Sequence, residues 1–166
     1  MSRLAGFPPL ASDGAHTLIL GSMPGAASLA AARYYAHPRN LFWPLVGVIL
    51  DIAPDLPYAQ RTRALTARGY ALWDVLGACR RVGSLDSGIV KDTLEINDLP
   101  GFLATHREIQ RIFFNGAKAE QLFRRHVGPC LDGDSAPACT RLPSTSPANA
   151  SVDYATKLAA WQRIAA

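Results

Sequence analysis

Residues 17–25 read Thr-Leu-Ile-Leu-Gly-Ser-Met-Pro-Gly. The first four form a short apolar run without polar alternation, which is typical of a strand covered on both faces. The run ends in a loop whose glycines allow close approach of a ligand and whose Pro24 stiffens the turn. The loop lacks the lysine and the spacing of a phosphate-binding P-loop. It is therefore either a ligand loop or an ordinary turn between a strand and a helix.

The same strand pattern returns three times along the chain, at residues 70–73, 111–114 and, more weakly, 138–141. Segments with the apolar spacing of helices separate these runs, at residues 41–50, 59–68, 99–108 and 117–126. Strands that alternate with helices favour a parallel sheet, because parallel neighbours need a crossover connection. The sequence therefore predicts an α/β fold in which the sheet lies between layers of helices.

A last helix is predicted over residues 151–164, with Asn149 or Ser151 as its N-cap. Its predicted apolar face comprises Tyr154, Leu158, Trp161 and Ala165. The chain of 166 residues has the usual length of one domain. We therefore expect residues 1–166 to form a single domain that this helix closes.

The composition indicates a compact protein with a sizeable core. Apolar residues make up 49% of the chain and charged residues 18%, unlike the composition of disordered proteins. The net charge of +4 and a pI near 9.2 favour an anionic partner without requiring one. No leader peptide is recognisable, and no apolar stretch approaches the ~20 residues of a membrane span. We expect a cytoplasmic protein of bacterial type with no membrane partner.

The three cysteines, Cys79, Cys130 and Cys139, form no C-x-x-C pair, and the four histidines show no tight spacing. Zinc sites in proteins usually need such spacing. The cysteines are therefore expected to be buried structural thiols, and no metal site is predicted.

Polar or glycine-rich residues follow all four predicted strands. The first strand leads into residues 21–25, the second into Asp74, the third into Asn115 and the fourth into residues 142–147. In open α/β sheets, ligands bind beyond the carboxyl ends of the strands. We therefore expect these four strand ends to meet in one cleft.

Residues 34–43, Tyr-Tyr-Ala-His-Pro-Arg-Asn-Leu-Phe-Trp, allow two interpretations. Asn40 is a good N-cap for the helix that follows, with the aromatic residues in the core. Alternatively, the aromatic residues beside a polar group form a platform for a planar heterocycle. The residues by themselves leave both readings open.

Residues 142–149, Leu-Pro-Ser-Thr-Ser-Pro-Ala-Asn, place three hydroxyls between two prolines. A loop of this kind can donate hydrogen bonds to phosphate oxygens with little loss of entropy. The same composition also occurs in turns held by bonds from side chains to the backbone. Asp74 is similarly either a capping carboxylate or an acceptor for a ring N–H, and Lys118 either a phosphate contact or part of a solvated helix face.

Taken together and in this order, the motifs GSMPG, YYAHPRNLFW and LPSTSPAN resemble the uracil-DNA glycosylase superfamily, in its hypoxanthine-DNA glycosylase branch. The resemblance extends from about Thr17 to Ile164. It implies a three-layer α/β/α sandwich with a central four-stranded parallel sheet. It also implies hydrolysis of the N-glycosidic bond of a deaminated base in DNA, without a metal or organic cofactor, by a protein that can act as a monomer.

The resemblance carries over unevenly to individual residues. Many branches have an aspartate or asparagine in the first loop to position water, where this chain has Met23. In the hypoxanthine branch that role falls to the asparagine matching Asn40, which is the catalytic residue predicted here. Tyr35 matches the aromatic residue that stacks on the flipped base. Asp74 replaces a base-reading asparagine, and Leu142 replaces a histidine that stabilises the leaving base.

The expected mechanism separates charge between the sugar and the departing base. Asn40 orients water against a cation-like sugar, and the backbone of residues 21–25 stabilises the base anion. The predicted base-binding residues are Gly21, Ser22, Met23, Gly25, Tyr35, Asp74 and Asn115. The predicted phosphate contacts are Ser144, Thr145, Ser146 and Lys118.

Two other functions remain open from the sequence. A uracil- or mismatch-specific glycosylase would use the same scaffold on a smaller base. A non-catalytic module that binds nucleotides or nucleic acid would use Asn40 only as a helix cap.

Overall fold

The structure is a computed structural model that describes residues 2–166. Its regular elements are, in chain order, β1 (Arg3–Ala5), β2 (Thr17–Gly21), α1 (Ala26–Ala31), α2 (Phe42–Leu50), α3 (Tyr58–Ala67), β3 (Tyr70–Asp74), β4 (Leu76–Arg80), β5 (Glu95–Ile96), α4 (Leu99–Thr105), β6 (Arg111–Asn115), α5 (Ala117–His126), β7 (Ala138–Leu142) and α6 (Tyr154–Trp161). Short 3₁₀ turns cover Asp86–Gly88, Lys91–Thr93, Gly128–Cys130 and Gln162–Ala165.

The central sheet consists of four parallel strands in the order β3-β2-β6-β7. The register places Ile19 of β2 between Leu72 of β3 and Phe113 of β6. All five residues of β2 are buried, as the absence of polar alternation predicted. The four predicted strands are therefore confirmed, each extended by one residue at its carboxyl end.

The side chains of β2 divide between two cores, because successive residues of a strand point to opposite faces. Leu18 and Leu20 pack in a cluster that includes residues of α4 and α5. Ile19 packs in the other cluster, with residues of α2, α3 and α6. The predicted three-layer α/β/α sandwich is confirmed.

A second, smaller sheet was not predicted. Its three antiparallel strands have the order β1-β4-β5. A single residue, Val75, separates β3 from β4, and the register of β4 with β5 shifts between Leu76 and Ala78. β1 and β5 have only three and two residues, which is too short for a readable hydrophobic period. Pairing between distant segments, rather than local pattern, defines this sheet.

The cysteines differ in their exposure. Cys79 is buried, Cys139 is half-buried and Cys130 is exposed. Burial raises the pKa of the thiols of Cys79 and Cys139, which favours their neutral form. The expectation of buried thiols is wrong for Cys130, which ends a surface turn outside both cores.

The last helix is shorter than predicted and has a different cap. α6 begins at Tyr154, and its N-cap is Asp153, whose Oδ1 accepts from Thr156 N at 2.8 Å, rather than Asn149 or Ser151. The later start alters the buried face: Tyr154 is 43% exposed, whereas Trp161 and Ile164 are fully buried. α4 similarly ends at Thr105, before the predicted end at residue 108.

Among residues 2–166, no helix combines the length and the apolarity that a membrane crossing requires.

Trp161 joins α6 to the core and to the loop of residues 142–149. Its indole N–H donates to Pro143 O at 2.9 Å, and its ring meets Phe42 edge to face at 5.9 Å. We expect Trp161→Ala to lower the free energy of unfolding by about 3–5 kcal/mol, because it leaves a large cavity. Urea unfolding measures this loss.

Tyr154→Ala is the matched control, since Tyr154 lies on the same helix but is exposed. It should change the free energy of unfolding by no more than about 0.5 kcal/mol. Equal losses in the two variants would contradict the buried face described here.

Candidate active site

A cavity of about 880 Å³ lies at the carboxyl ends of β2, β3, β6 and β7. This is the edge of a parallel sheet at which ligands bind in open α/β folds. The structure thus brings the four polar strand ends together. The predicted site residues that line the cavity are Gly21, Ser22, Met23, Gly25, Tyr35, Asn40, Asp74, Asn115, Ser144, Thr145 and Ser146.

Gly21, the last residue of β2, permits a close approach of two polar groups. A Cβ at this position would overlap Asp74 Oδ1 and would lie 3.2 Å from the hydroxyl of Tyr35. The Gly21 carbonyl accepts from Val75 N at 2.9 Å, which holds the strand end in place. Any side chain here would therefore displace the carboxylate, the tyrosine or both.

The rest of the first loop contributes in different ways. The hydroxyl of Ser22 donates to Asp86 Oδ1 at 2.6 Å, so the loop is tied to the 3₁₀ turn Asp86–Gly88. Met23 buries its side chain in the core, where it is 6% exposed. Gly25 precedes α1, and its carbonyl accepts from Leu29 N.

Tyr35 has an unusual backbone conformation. Its φ is 55°, in the left-handed region that non-glycine residues rarely adopt. Its ring stacks on Phe42 at 4.1 Å between centroids, with 23° between the planes. Burial raises the pKa of Tyr35, which keeps its hydroxyl protonated. The surrounding structure thus holds the ring in a single orientation at the cavity.

Asn40 lines the cavity and also contacts the start of a helix, one residue before the N-cap position, which Leu41 occupies. Its Oδ1 accepts from Phe42 N, the first residue of α2, at 2.9 Å. Among residues 2–166, no oxygen of the protein accepts a hydrogen bond from its Nδ2. The interpretation of Asn40 as the N-cap is wrong by one residue, but its contact with the helix is compatible with a role in the cavity, because the contact uses one lone pair of Oδ1 and leaves the amide donors available.

Asp74 ends β3 and is 4% exposed. Within residues 2–166, its Oδ2 and the Tyr35 hydroxyl are both buried without a hydrogen-bond partner. Burial, with a smaller contribution from the charge of Asp86, raises the pKa of Asp74 to about 7. Buried polar groups usually have hydrogen-bond partners, so Asp74 Oδ2 and the Tyr35 hydroxyl are suited to bind a polar ligand.

Asn115 and Thr145 bind each other. Asn115 Nδ2 donates to Thr145 Oγ1 at 2.9 Å, and Thr145 N donates to Asn115 Oδ1 at 2.9 Å. One N–H and one lone pair of the amide are thus engaged, so Asn115 holds a loop while its second N–H and second lone pair stay available at the cavity. Thr145 is fully buried. This corrects the expectation of a phosphate contact at Thr145, since its side chain cannot reach solvent.

Ser144 and Ser146 differ from Thr145 because they are only partly buried. Ser146 N donates to Ser144 Oγ and Ala148 N donates to Ser146 Oγ, each at 3.2 Å. A serine hydroxyl has two acceptor positions and one O–H donor. These backbone contacts use the acceptors only, so both O–H groups remain available to an anion.

The cation that lines the cavity was not predicted, and a phosphate contact by Lys118 stays a prediction. Lys118 lies on α5, half-buried, and does not line the cavity. Arg141 lines it instead, with a side chain that is 57% exposed and 3.8 Å from the carboxylate of Glu120. Arg141 directly precedes the last residue of β7, and this position at a strand end was the signal in the sequence that could have identified it.

One further segment of the lining was missed from the sequence. Ser84, Leu85, Asp86 and Ser87 line the cavity from the loop after β4. This loop carries no recognisable motif and follows a strand that the hydrophobic pattern did not reveal. Among residues 2–166, no group of three or more histidine, cysteine or acidic side chains could hold a metal ion.

Comparisons with known proteins agree with this fold. The family described as the Uracil DNA glycosylase superfamily matches residues 8–165. A hypoxanthine DNA glycosylase from Methanosarcina acetivorans is 39% identical over 115 residues, which cover 69% of this chain and 72% of that protein. One from Methanosarcina barkeri is 38% identical, with the same shares covered. The solution NMR structure of a proposed uracil DNA glycosylase from Methanosarcina acetivorans has a TM-score of 0.82 and 32% identity, covering 98% of this chain and 96% of that one.

The raised pKa of Asp74 predicts a pH-dependent stability. Its value rises from 3.8 to about 7, so the folded protein holds this proton more tightly than the unfolded chain. The resulting stability is present below the unfolded value and is lost as the pH rises through about 7. As the pH rises, we expect the free energy of unfolding of wild type to fall by as much as ~4 kcal/mol relative to that of Asp74→Asn, whose side chain stays neutral.

Urea unfolding of both proteins from about pH 4 to about pH 8 measures this difference. Parallel stability curves for wild type and Asp74→Asn would show that Asp74 has an ordinary pKa in the folded protein.

Proposed function

This chain belongs to the uracil DNA glycosylase superfamily, and we propose that it removes hypoxanthine from DNA by hydrolysing the N-glycosidic bond of deoxyinosine. The observation that carries the proposal is the Asp74 carboxylate, buried without a partner beside Gly21 in a cavity of about 880 Å³. The two curated relatives, both named hypoxanthine DNA glycosylases, support the choice of base.

Asp74 reads the base in this proposal. Hypoxanthine carries a proton on N1, and the ionised carboxylate of Asp74 accepts a hydrogen bond from it. Adenine has no proton at N1, so it would leave Asp74 unpaired in its ionised form, which predominates above a pH of about 7. An unpaired buried charge is costly, which lets a single polar contact discriminate strongly between two bases of similar shape.

Tyr35 and the first loop hold the base. One face of the Tyr35 ring is covered by Phe42, and the base stacks on the exposed part that lines the cavity. Pro24 has no N–H, but the other backbone N–H groups of residues 21–25 donate to the base anion as it departs. The Gly21 carbonyl already accepts from Val75, so the loop is fixed before the substrate arrives.

Asn40 holds the attacking water. A neutral amide is a poor base, so its contribution is to orient water against a sugar that has acquired positive charge. The hydrogen bond from Phe42 N fixes the amide in one rotamer, which leaves Nδ2 and a lone pair of Oδ1 for the water.

DNA phosphates contact Ser144 and Ser146 through their O–H groups, with Arg141 as the nearby cation. Thr145 contributes indirectly, because its bonds to Asn115 hold the loop in shape. All these residues belong to one chain, so the proposed reaction needs no second subunit.

The test of the chemistry is cleavage of duplex DNA containing inosine or uracil, with alkali to reveal abasic sites. We expect wild type to cleave at inosine and Asn40→Ala to be slower by about a hundredfold or more, because water is no longer positioned. DNA binding by the variant should be retained.

Asn40→Ser is the matched control, because a serine hydroxyl can also accept from the N–H two residues on but is too short to replace the amide. It should recover the roughly 1 kcal/mol of stability that Asn40→Ala loses, without recovering cleavage. Recovery of cleavage by serine would mean that Asn40 acts only through its contact with the helix. Faster cleavage at uracil than at inosine would instead mean that uracil is the preferred base.

The phosphate contacts predict a loss of binding without base preference. We expect Ser144→Ala combined with Ser146→Ala to weaken binding roughly tenfold on any DNA duplex, whether or not it contains inosine. Fluorescence anisotropy with two unrelated duplexes measures this effect. Unchanged binding together with lost cleavage would place these serines in the chemistry rather than on the backbone.

A further inference from the structure

Two arginine side chains share the ring of Tyr58, the first residue of α3. The guanidinium carbons of Arg33 and Arg61 each lie 5.6 Å from the centre of this ring. Arg61 also lies 4.8 Å from the ring centre of Trp43, which meets Tyr58 edge to face at 6.0 Å. The face of an aromatic ring attracts a cation electrostatically. We refer to Arg33, Trp43, Tyr58 and Arg61 as the arginine cluster, which holds two like charges beside each other.

Within residues 2–166, neither arginine of the cluster forms an ion pair with a carboxylate, and the arginines that do are Arg3, Arg124 and Arg141. Burial lowers the pKa of Arg61, and the charge of Arg33 lowers it further. Neighbouring cations repel each other, and an anion bound at both relieves this repulsion. The arginine cluster therefore has the charge of an anion site.

Backbone contacts hold the arginine cluster in place while most of its donors stay unused. The Tyr58 hydroxyl accepts from Tyr34 N at 2.9 Å, and Arg61 Nε donates to Leu56 O at 3.0 Å. In the described part of the chain, the guanidinium of Arg33 and both Nη groups of Arg61 donate no hydrogen bond. Arginine presents five N–H donors in a planar fork that matches the oxygens of a phosphate. The unused donors therefore suit a phosphate group.

The arginine cluster lies toward the edge of the sheet that carries the cavity. α3 ends two residues before Arg68 and Gly69 lead into β3, whose opposite, carboxyl end lies at the cavity. The start of α3 is therefore on the cavity side, because the helix runs antiparallel to the strand that follows it. Tyr34, whose N–H binds Tyr58, lines the cavity itself. A DNA strand with a nucleotide in the cavity can thus continue over the arginine cluster.

We propose that Arg33 and Arg61 form a second phosphate site, which binds the backbone of the duplex beside the flipped nucleotide. The inference rests on the proposed function, since it takes the partner to be the DNA whose base enters the cavity. The net charge of +4 favours this partner. The site is separate from Ser144 and Ser146, because it is built on α3 and on the segment after α1. It positions the duplex, since phosphate contacts fix register without reading sequence.

The test measures how binding of an undamaged duplex depends on salt. Each phosphate contact contributes about 0.9 to the slope of log K against log salt concentration. We expect Arg33→Gln combined with Arg61→Gln to reduce the magnitude of this slope by roughly 2, and Arg33→Gln alone by roughly 1. Arg33 is exposed, so the single variant keeps the fold even if Arg61→Gln disturbs packing on Trp43. Fluorescence anisotropy over a range of sodium chloride concentrations measures the slope.

Arg107→Gln is the matched control, because it removes an exposed arginine shortly before β6, at the opposite edge of the sheet from the cavity. It should keep the slope of wild type. Arg33→Lys combined with Arg61→Lys should recover most of the slope, since lysine binds phosphate as a point charge but lacks the planar group that stacks on aromatic rings. With DNA saturated by enzyme, the glutamine double variant should release hypoxanthine at the rate of wild type, because neither arginine lines the cavity.

Three results would overturn the proposal. An unchanged slope in the glutamine double variant would mean that the arginines contact no phosphate. An equal fall in the lysine double variant would assign them to packing, and an equal fall in Arg107→Gln would mean that net charge alone matters. Failure of the proposed function is distinguishable, because it would appear as no release of hypoxanthine by wild type, whatever the slopes on undamaged DNA.

Discussion

The contact between Gly21 and Asp74 is the constraint on which the rest of the site depends. The two residues are paired at the carboxyl ends of β2 and β3, and a side chain on Gly21 would overlap the carboxylate. The absence of that side chain lets Tyr35 and Asp74 approach the same backbone position. A buried, unpartnered carboxylate results, with a pKa raised to about 7 mainly by burial. This arrangement lowers the stability of the free protein above a pH of about 7, and in the proposed function it serves base discrimination.

The loops around this centre are held by side chains rather than by regular structure. Asn115 binds Thr145 across the sheet, Trp161 donates to Pro143, and Arg81 joins the first loop to residues 82–87. Each bond fixes backbone atoms that line or support the cavity. Loops fixed in advance lose little conformational entropy when DNA binds, which suits a protein that must also pay for unstacking a base.

Asn40 shows how a structural contact and the proposed catalytic role can coexist in one side chain. Its Oδ1 accepts from Phe42 N at the start of α2, and its amide lines the cavity. Tyr35 also combines two contacts, because Phe42 covers one face of its ring while the rest of the side chain lines the cavity. Phe42 thus supports both residues, through its backbone in one case and its ring in the other.

The sequence by itself determined the parallel sheet, the layered helices and the set of strand ends that meet at the cavity. These features follow from local periodicity, since a short run without polar alternation, such as residues 17–20, predicts a strand that is buried on both faces. Only the tertiary structure decided that Thr145 is buried against Asn115 and that Arg141, rather than Lys118, lines the cavity. It also decided that Leu85, in the loop after β4 of the β1-β4-β5 sheet, lies at the rim of the cavity. Those facts depend on contacts between residues far apart in the chain, and such contacts leave no periodic trace in the sequence.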